Sequence, residues 1–385
     1  MNEAHGGVAC RAVAPELERL LQRLRSRRRV RHVILGAVSL DGTWGWVDAA
    51  GDSRDGGVPM RPDTPWFLAS ITKLHIATVV LRLHERGLVD LDAPIASFLP
   101  ADLAGELHVY EGVDYTHQIT PTHLLGHLSG LPDCLDERPR GGRSLIEEIV
   151  EDGDRAWSFQ EAVMRARDRL APHFPPSDPK TPRPKIRYSD TNYQLLMVMA
   201  ETVTGLPMSR LYRELLFEPL GLRHTWLPGD HPLEPAGEPA TVWLGDWALE
   251  GRPLALASFG DLYGTIDDLL RFGRALFSGA VFDDPGTGEV MWGRFNRFGF
   301  PRGMASLRAP SWPIEYGLGM MRFELSRWLA GGLRLPSLRG HTGSTGSWLW
   351  YAPQLRLVIA GTVDQAAAAS VPFRVVPRAL AGLDG

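Results

Sequence analysis

Ser70-Ile71-Thr72-Lys73 sets a hydroxyl and an amine three residues apart. On a helix such side chains share a face and can touch. A serine hydroxyl is a poor nucleophile until its proton is removed, and a desolvated lysine with a lowered pKa can remove it. Apolar spacing at Leu74, Ala77, Thr78 and Leu81 predicts a helix from Ser70 to Arg86, closed by Gly87. Ser70 then stands at a helix N-terminus, where developing negative charge is favoured. Composition sharpens the reading. Of 41 basic residues only Lys73, Lys180 and Lys185 are lysine, so the chain uses arginine where a positive charge alone is wanted. A lysine inside an apolar helix therefore points to a titratable amine. A second match, Ser177-Asp178-Pro179-Lys180, lies among six prolines between 171 and 187, where no helix can hold the two side chains together.

Two further groups fit the same chemistry. Tyr188-Ser189-Asp190 follows the proline-rich loop and opens a helical stretch. A phenol beside a lysine cation can be held partly ionised and shuttle protons. His341-Thr342-Gly343-Ser344 precedes the last strand-like runs, and hydroxyl-rich edge strands bind extended acyl groups through backbone pairing. Taken singly, the tyrosine reads as a packing residue and the His-Thr-Gly segment as a turn.

In this order the three segments resemble the serine β-lactamase and penicillin-binding-protein superfamily, most closely its class C, D-Ala-D-Ala carboxypeptidase and esterase branch. The resemblance runs from about 33 to 365 and includes 119–132 (ITPTHLLGHLSGLP), 217–222 (FEPLGL), 267–272 (DDLLRF) and 316–319 (YGLG). It implies Ser70 as the acylated nucleophile, Lys73 as its proton acceptor and Tyr188 as the acid or base for leaving group and water. It also implies an oxyanion hole from the backbone N–H groups of Ser70 and Ser344, with His341 and Thr342 orienting substrate. Two departures matter. His341 replaces the Lys of Lys-Thr-Gly and should select a substrate carboxylate weakly and pH-dependently. Asp190 replaces the Asn of Tyr-x-Asn; ionised, it accepts hydrogen bonds only and should repel an acidic substrate. Both favour an ester or amide specialist over an efficient β-lactamase.

The elements that must position these groups are strands, then helices, then strands. Val33–Leu40 and Thr43–Val47 flank Asp41-Gly42, a hairpin signal. Helical stretches are expected at 122–128, 144–151, 158–170, 190–204, 207–216 and 266–278, and strands at 315–323, 347–351 and 355–363. This order predicts an α+β fold, an α/β sandwich with an antiparallel sheet flanked by helices and an inserted, mainly helical lobe. The expected division is an N-terminal helical extension at 1–31, a sheet lobe from 32–105 plus 255–385, and the helical lobe at 106–254, together one β-lactamase-related domain. Loops at 133–187 and 279–312 should shape the cleft.

The composition of the 385 residues is ordinary for a globular chain, with 44% hydrophobic residues, 22% charged residues and a net charge of -4. That balance argues against nucleic acid or an anionic membrane as partner; the arginine run from Arg23 to Arg31 suits a helix C-terminus instead. No apolar run is long enough to span a membrane, and the opening MNEAHGG lacks the basic and apolar regions of a secretory signal, so a cytoplasmic location is expected. Cys10 and Cys134 form no metal or redox motif. His123 and His127 are spaced for half a zinc site, but no zincin Glu or third ligand accompanies them, so neither a metal nor a cofactor is expected. Trp243, Trp247, Trp348 and Trp350 are candidates for an apolar acyl pocket.

The expected function is a serine hydrolase that cleaves a small ester, amide or peptide through an acyl-Ser70 intermediate. An acyltransferase or peptide cyclase would use the same serine, and a silent binding protein would keep only the cleft. The sequence leaves the oligomeric state open.

Overall fold

The computed structural model describes residues 6–299 and 310–382. The expected loop at 279–312 thus lies partly outside the described residues, as do the ends of the expected N-terminal extension and sheet lobe.

Among the described residues nine antiparallel strands form the main sheet. The first three are β1 (His32–Ser39), β2 (Gly45–Arg54) and β3 (Val58–Pro59). The others are β4 (Asn296–Arg297), β5 (Ile314–Tyr316), β6 (Met321–Phe323), β7 (Leu338–Thr342), β8 (Ser347–Ala352) and β9 (Leu357–Thr362). Their spatial order is β4-β5-β6-β7-β8-β9-β1-β2-β3. The chain therefore closes the sheet from both ends, with β1 paired to β9 from Ile34↔Thr362 to Ser39↔Leu357. Central strands covered on both faces should be apolar throughout, and β9 is buried at every position.

Helices cover both faces. On one side α1 (Gly6–Arg25) packs Leu17, Leu20, Leu21 and Leu24, at helical spacing, with the C-terminal α6 (Val371–Ala381) over Val33, Leu35 and Trp350. The first helix is thus a layer of the sandwich. On the other side α5 (Ile266–Ser278) lies on β1, β8 and β9. Gly36 lets it approach: a Cβ there would come within 2.6 Å of Ile266. Beyond α5 stand α2 (Thr72–Glu85), α3 (Pro121–Leu125) and α4 (Asp190–Thr204), whose apolar residues share one core with Leu349 and Val358 of the sheet. α2 is buried at nearly every position from Thr72 to Leu83, a central helix between sheet and helical lobe.

The α+β sandwich expected from the sequence is present. Three elements differ from expectation. The run expected as one strand at 315–323 is two, β5 and β6; residues Pro285–Trp292, expected as loop, form a helix capped by Asp284; and the final helix α6 was not anticipated.

Candidate active site

The nucleophile turn is built before the helix that carries it. Trp66–Phe67 pairs with Tyr263–Gly264, and Leu68 N–H donates to Leu262 O at 2.8 Å. Ala69 then adopts φ +51°, a left-handed conformation that costs an alanine energy, and Ala69–Ile71 makes a 3-10 turn into α2. Ser70, half-buried, thereby sits at the helix N-terminus and Lys73 one turn on.

Lys73 Nζ lies 3.1 Å from Ser70 Oγ and pairs with the Asp190 carboxylate. Tyr188 lies beside both, with its ring centroid 5.1 Å from Lys73 Nζ, and Ser70 and Lys73 both act on its phenol. Three groups 118 residues apart in the chain thus meet in one pocket. The loop after α3 holds them there. Ser189 donates its hydroxyl to Pro132 O at 2.9 Å, and Asp190 N–H donates to Asp133 Oδ2 at 2.8 Å. From the sheet side, β7 brings Gly343 against the nucleophile turn. A Cβ on Gly343 would meet Ser347 Oγ and come within 2.9 Å of both Ala69 Cβ and Leu68 O. Ser344, next in the chain, is exposed at this edge.

The protonation states differ from those expected. Burial works to neutralise Lys73, but the Asp190 carboxylate, with Tyr188 and Asp261, outweighs it and holds the amine well above its ordinary value. Lys73 is an ammonium, not a pre-lowered amine. Burial also drives the Tyr188 phenol well above the usual tyrosine value, and Lys73 offsets this only in part. Tyr188 is neutral, not partly ionised. Around them burial raises Asp133 to about 8 and Asp261 to about 7, each with a further push from Asp190.

His341 also departs from expectation. Its ring is fully buried, with Nε2 3.0 Å from Tyr316 Oη and Nδ1 2.7 Å from Thr342 O. Burial, aided by Lys73, pushes it down to about 3, so it is neutral and turned away from solvent. It therefore cannot hold a substrate carboxylate. Thr342 is nearly buried beside it. Asp190 is the other correction: its carboxylate engages Lys73 rather than standing as a separate substrate contact.

Trp348 and Trp350 are fully buried in the core that α1 and α6 cover, away from the cleft. Trp243 is buried with Arg31 stacked 3.5 Å over its ring. The acyl-pocket reading fails for these three. His123 and His127 are used separately: His123 Nδ1 caps α3 through Thr120, and His127 Nδ1 accepts from Ser189 N–H and the Asn192 amide. Among the described residues no three His, Cys, Asp or Glu side chains are grouped to hold a metal.

Sequence reasoning missed Asp133, Asp261, Tyr193 and Tyr316. Neither aspartate carries a local signal, and the two tyrosines appear only as members of apolar or turn segments. Tyr193 Oη donates to Leu125 O at 3.0 Å and lies 3.2 Å from Tyr316 Oη, continuing the polar chain from His341.

The sheet order and the Ser-Lys-Tyr constellation define a protein of the serine β-lactamase and penicillin-binding fold. The family model described as Beta-lactamase matches residues 17–376, and the chain belongs to that family. Among curated relatives, "Esterase EstB" of Burkholderia gladioli is 31% identical over 280 residues, 65% of this chain and 66% of that protein. "Esterase/beta-lactamase LipL" of Mycobacterium tuberculosis is 31% identical over 51% of this chain and 40% of its own. The chain thus spans less than two-thirds of the length of these relatives. Among solved structures, the D-amino acid amidase of Ochrobactrum anthropi SV3 superposes with a TM-score of 0.72 at 22% identity, over 96% of this chain and all of that one, and shares its fold.

Proposed function

We propose that this protein is a serine hydrolase that cleaves a small ester or amide through an acyl-Ser70 intermediate. The observation that carries the reading is Ser70 Oγ at 3.1 Å from Lys73 Nζ, with the Tyr188 ring beside that amine. Ser70 attacks the carbonyl as Lys73, once it has given up a proton of its own, takes the hydroxyl proton, and Tyr188 protonates the leaving group and later activates water. The backbone N–H groups of Ser70 and Ser344 receive the oxyanion, an assignment supported by the seating of Gly343 against the nucleophile turn. An uncharged acyl donor suits the pocket, because His341 is neutral and Lys73 is neutralised by Asp190. The esterase names of two relatives accord with this. No helix among the described residues is long and apolar enough to cross a membrane.

The test is incubation with an activated p-nitrophenyl ester followed by mass spectrometry. A mass gain on the Ser70 peptide, absent from Ser70→Ala, is expected. No adduct and no turnover across a broad panel of acyl donors would overturn the reading in favour of a binding protein. Adding an alcohol or amine acceptor to the same reaction separates hydrolysis from acyl transfer by the product formed.

A further inference from the structure

We infer that Asp190 is the base that frees Lys73 to take the Ser70 proton, by accepting a proton from the Lys73 ammonium. The inference rests on the acyl-transfer reading above and concerns how the serine is activated.

Lys73 is 2% exposed and stands between two oxygens, Ser70 Oγ at 3.1 Å and the Asp190 carboxylate. An ammonium has three N–H donors and no lone pair, so it cannot take a proton from Ser70 until it gives one up. The carboxylate it touches is the acceptor at hand. Asp190 is fixed for that role: it is the first residue of α4, its N–H is held by Asp133, and the preceding N–H of Ser189 is held by His127. The other titratable groups facing the pair are Asp133, Asp261, Tyr188, Tyr193, His127 and His341. Both aspartates in that set are pushed up by burial and both histidines down, so the surrounding wall is close to uncharged and the ion pair is its one strong dipole.

The step balances. A proton passes from Lys73 Nζ to Asp190 Oδ1, leaving the N–H electron pair on nitrogen. That pair takes the Ser70 proton, and the O–H electrons of Ser70 form the bond to the substrate carbonyl carbon. The products are an ammonium, a neutral carboxylic acid and an oxyanion, with net charge unchanged. Asp190 remains 19% exposed at its side chain, so its proton can pass on to water. Asparagine at this place would accept a hydrogen bond from Lys73 but not a proton.

The experiment measures the rate of Ser70 acylation by an uncharged p-nitrophenyl ester, by mass, from pH 6 to 10 in wild type, Asp190→Asn and Asp190→Glu. The asparagine variant is expected to acylate about 100-fold more slowly near neutral pH. Its rate should climb with pH, because a buried Lys73 without its counter-ion loses a proton more readily. The glutamate variant, which keeps an acceptor, should retain more activity than the asparagine variant at neutral pH. Acylation of Asp190→Asn at the wild-type rate with an unchanged pH profile would overturn the assignment, as would a uniform loss with no recovery at high pH. Absence of any Ser70 adduct in wild type would instead overturn the acyl-transfer reading itself.

Discussion

The His127 imidazole lies against the Tyr188 ring, with centroids 4.3 Å apart and 34° between planes, while its Nδ1 accepts the N–H of Ser189 at 3.2 Å. One buried side chain thus fixes both the ring of Tyr188 and the peptide that follows it. His127 itself has φ +56°, an uncommon conformation for a residue with a Cβ, at the point where the chain leaves α3. His127→Phe keeps the ring contact and removes the acceptor, leaving a buried N–H unpaired at a cost of about 1–3 kcal/mol. The expected result is a fall in kcat of about tenfold or more with little change in KM, since Tyr188 would lose its orientation. Steady-state kinetics beside a urea unfolding curve would check it; an unchanged kcat would remove His127 from the site.

Lys73→Arg preserves a cation opposite Asp190 but replaces an amine that can lose its proton with a guanidinium that cannot. Activity should drop by about 10²–10⁴-fold. Far-UV circular dichroism would verify that the variant folds, and a wild-type turnover number would show that Lys73 moves no proton.

Gly343 is where β7 meets the nucleophile turn. Gly343→Ala places a methyl group against Ser347, Ala69 and Leu68 O, so strand and turn must separate. An oxyanion donor on that edge would shift with them, and the expected loss is about 10²-fold in kcat. Measured kcat within twofold of wild type would argue that the oxyanion is held elsewhere.

Stability should depend on pH through the buried histidines. His75, stacked 3.7 Å from Phe272, and His341 are both pushed by burial down to about 3 in the folded chain. Unfolded, each takes a proton near its ordinary value of about 6.5. Between those values the unfolded chain holds more protons, so stability rises with pH through this window and is lost as pH falls. His75→Leu removes one such proton and should flatten the acid limb by up to about 1.4 kcal/mol per pH unit, whatever it does to absolute stability. Urea midpoints at several pH values read this slope; an unaltered slope would mean that His75 is not held neutral.

The carboxyls give the opposite sign. Burial raises Asp261 to about 7 and Asp133 to about 8, so above their ordinary value of about 4 the folded chain holds the extra protons and stability declines as pH rises towards 8. Asp261→Asn should reduce that decline. A curve identical to wild type from pH 6 to 8 would show that Asp261 is ionised throughout.

Much of the frame is legible in local pattern. The hairpin around Asp41-Gly42, the helix Asp190–Thr204 and the helix Ile266–Ser278 stand where turn residues and 3.6-residue spacing place them. Other elements are masked by their own composition. Gly286 and Gly288 hide the helix Pro285–Trp292, and Pro372 and Pro377 hide α6. In each case burial and pairing in the assembled sandwich override a weak intrinsic preference. Trp348 and Trp350 show the same limit: strand alternation cannot say which face of the sheet meets a cleft and which meets α1 and α6.

The order and identity of Ser70, Lys73 and Tyr188 are fixed by the chain alone, because residue type and spacing along a helix are local properties. Which of them carries a proton is not. Lys73 is held charged by Asp190, 117 positions away, and His341 is held neutral by burial and Lys73. A proton affinity follows from desolvation and from charges within a few ångströms, and those neighbours exist only once the sheet has closed and the helices have packed upon it.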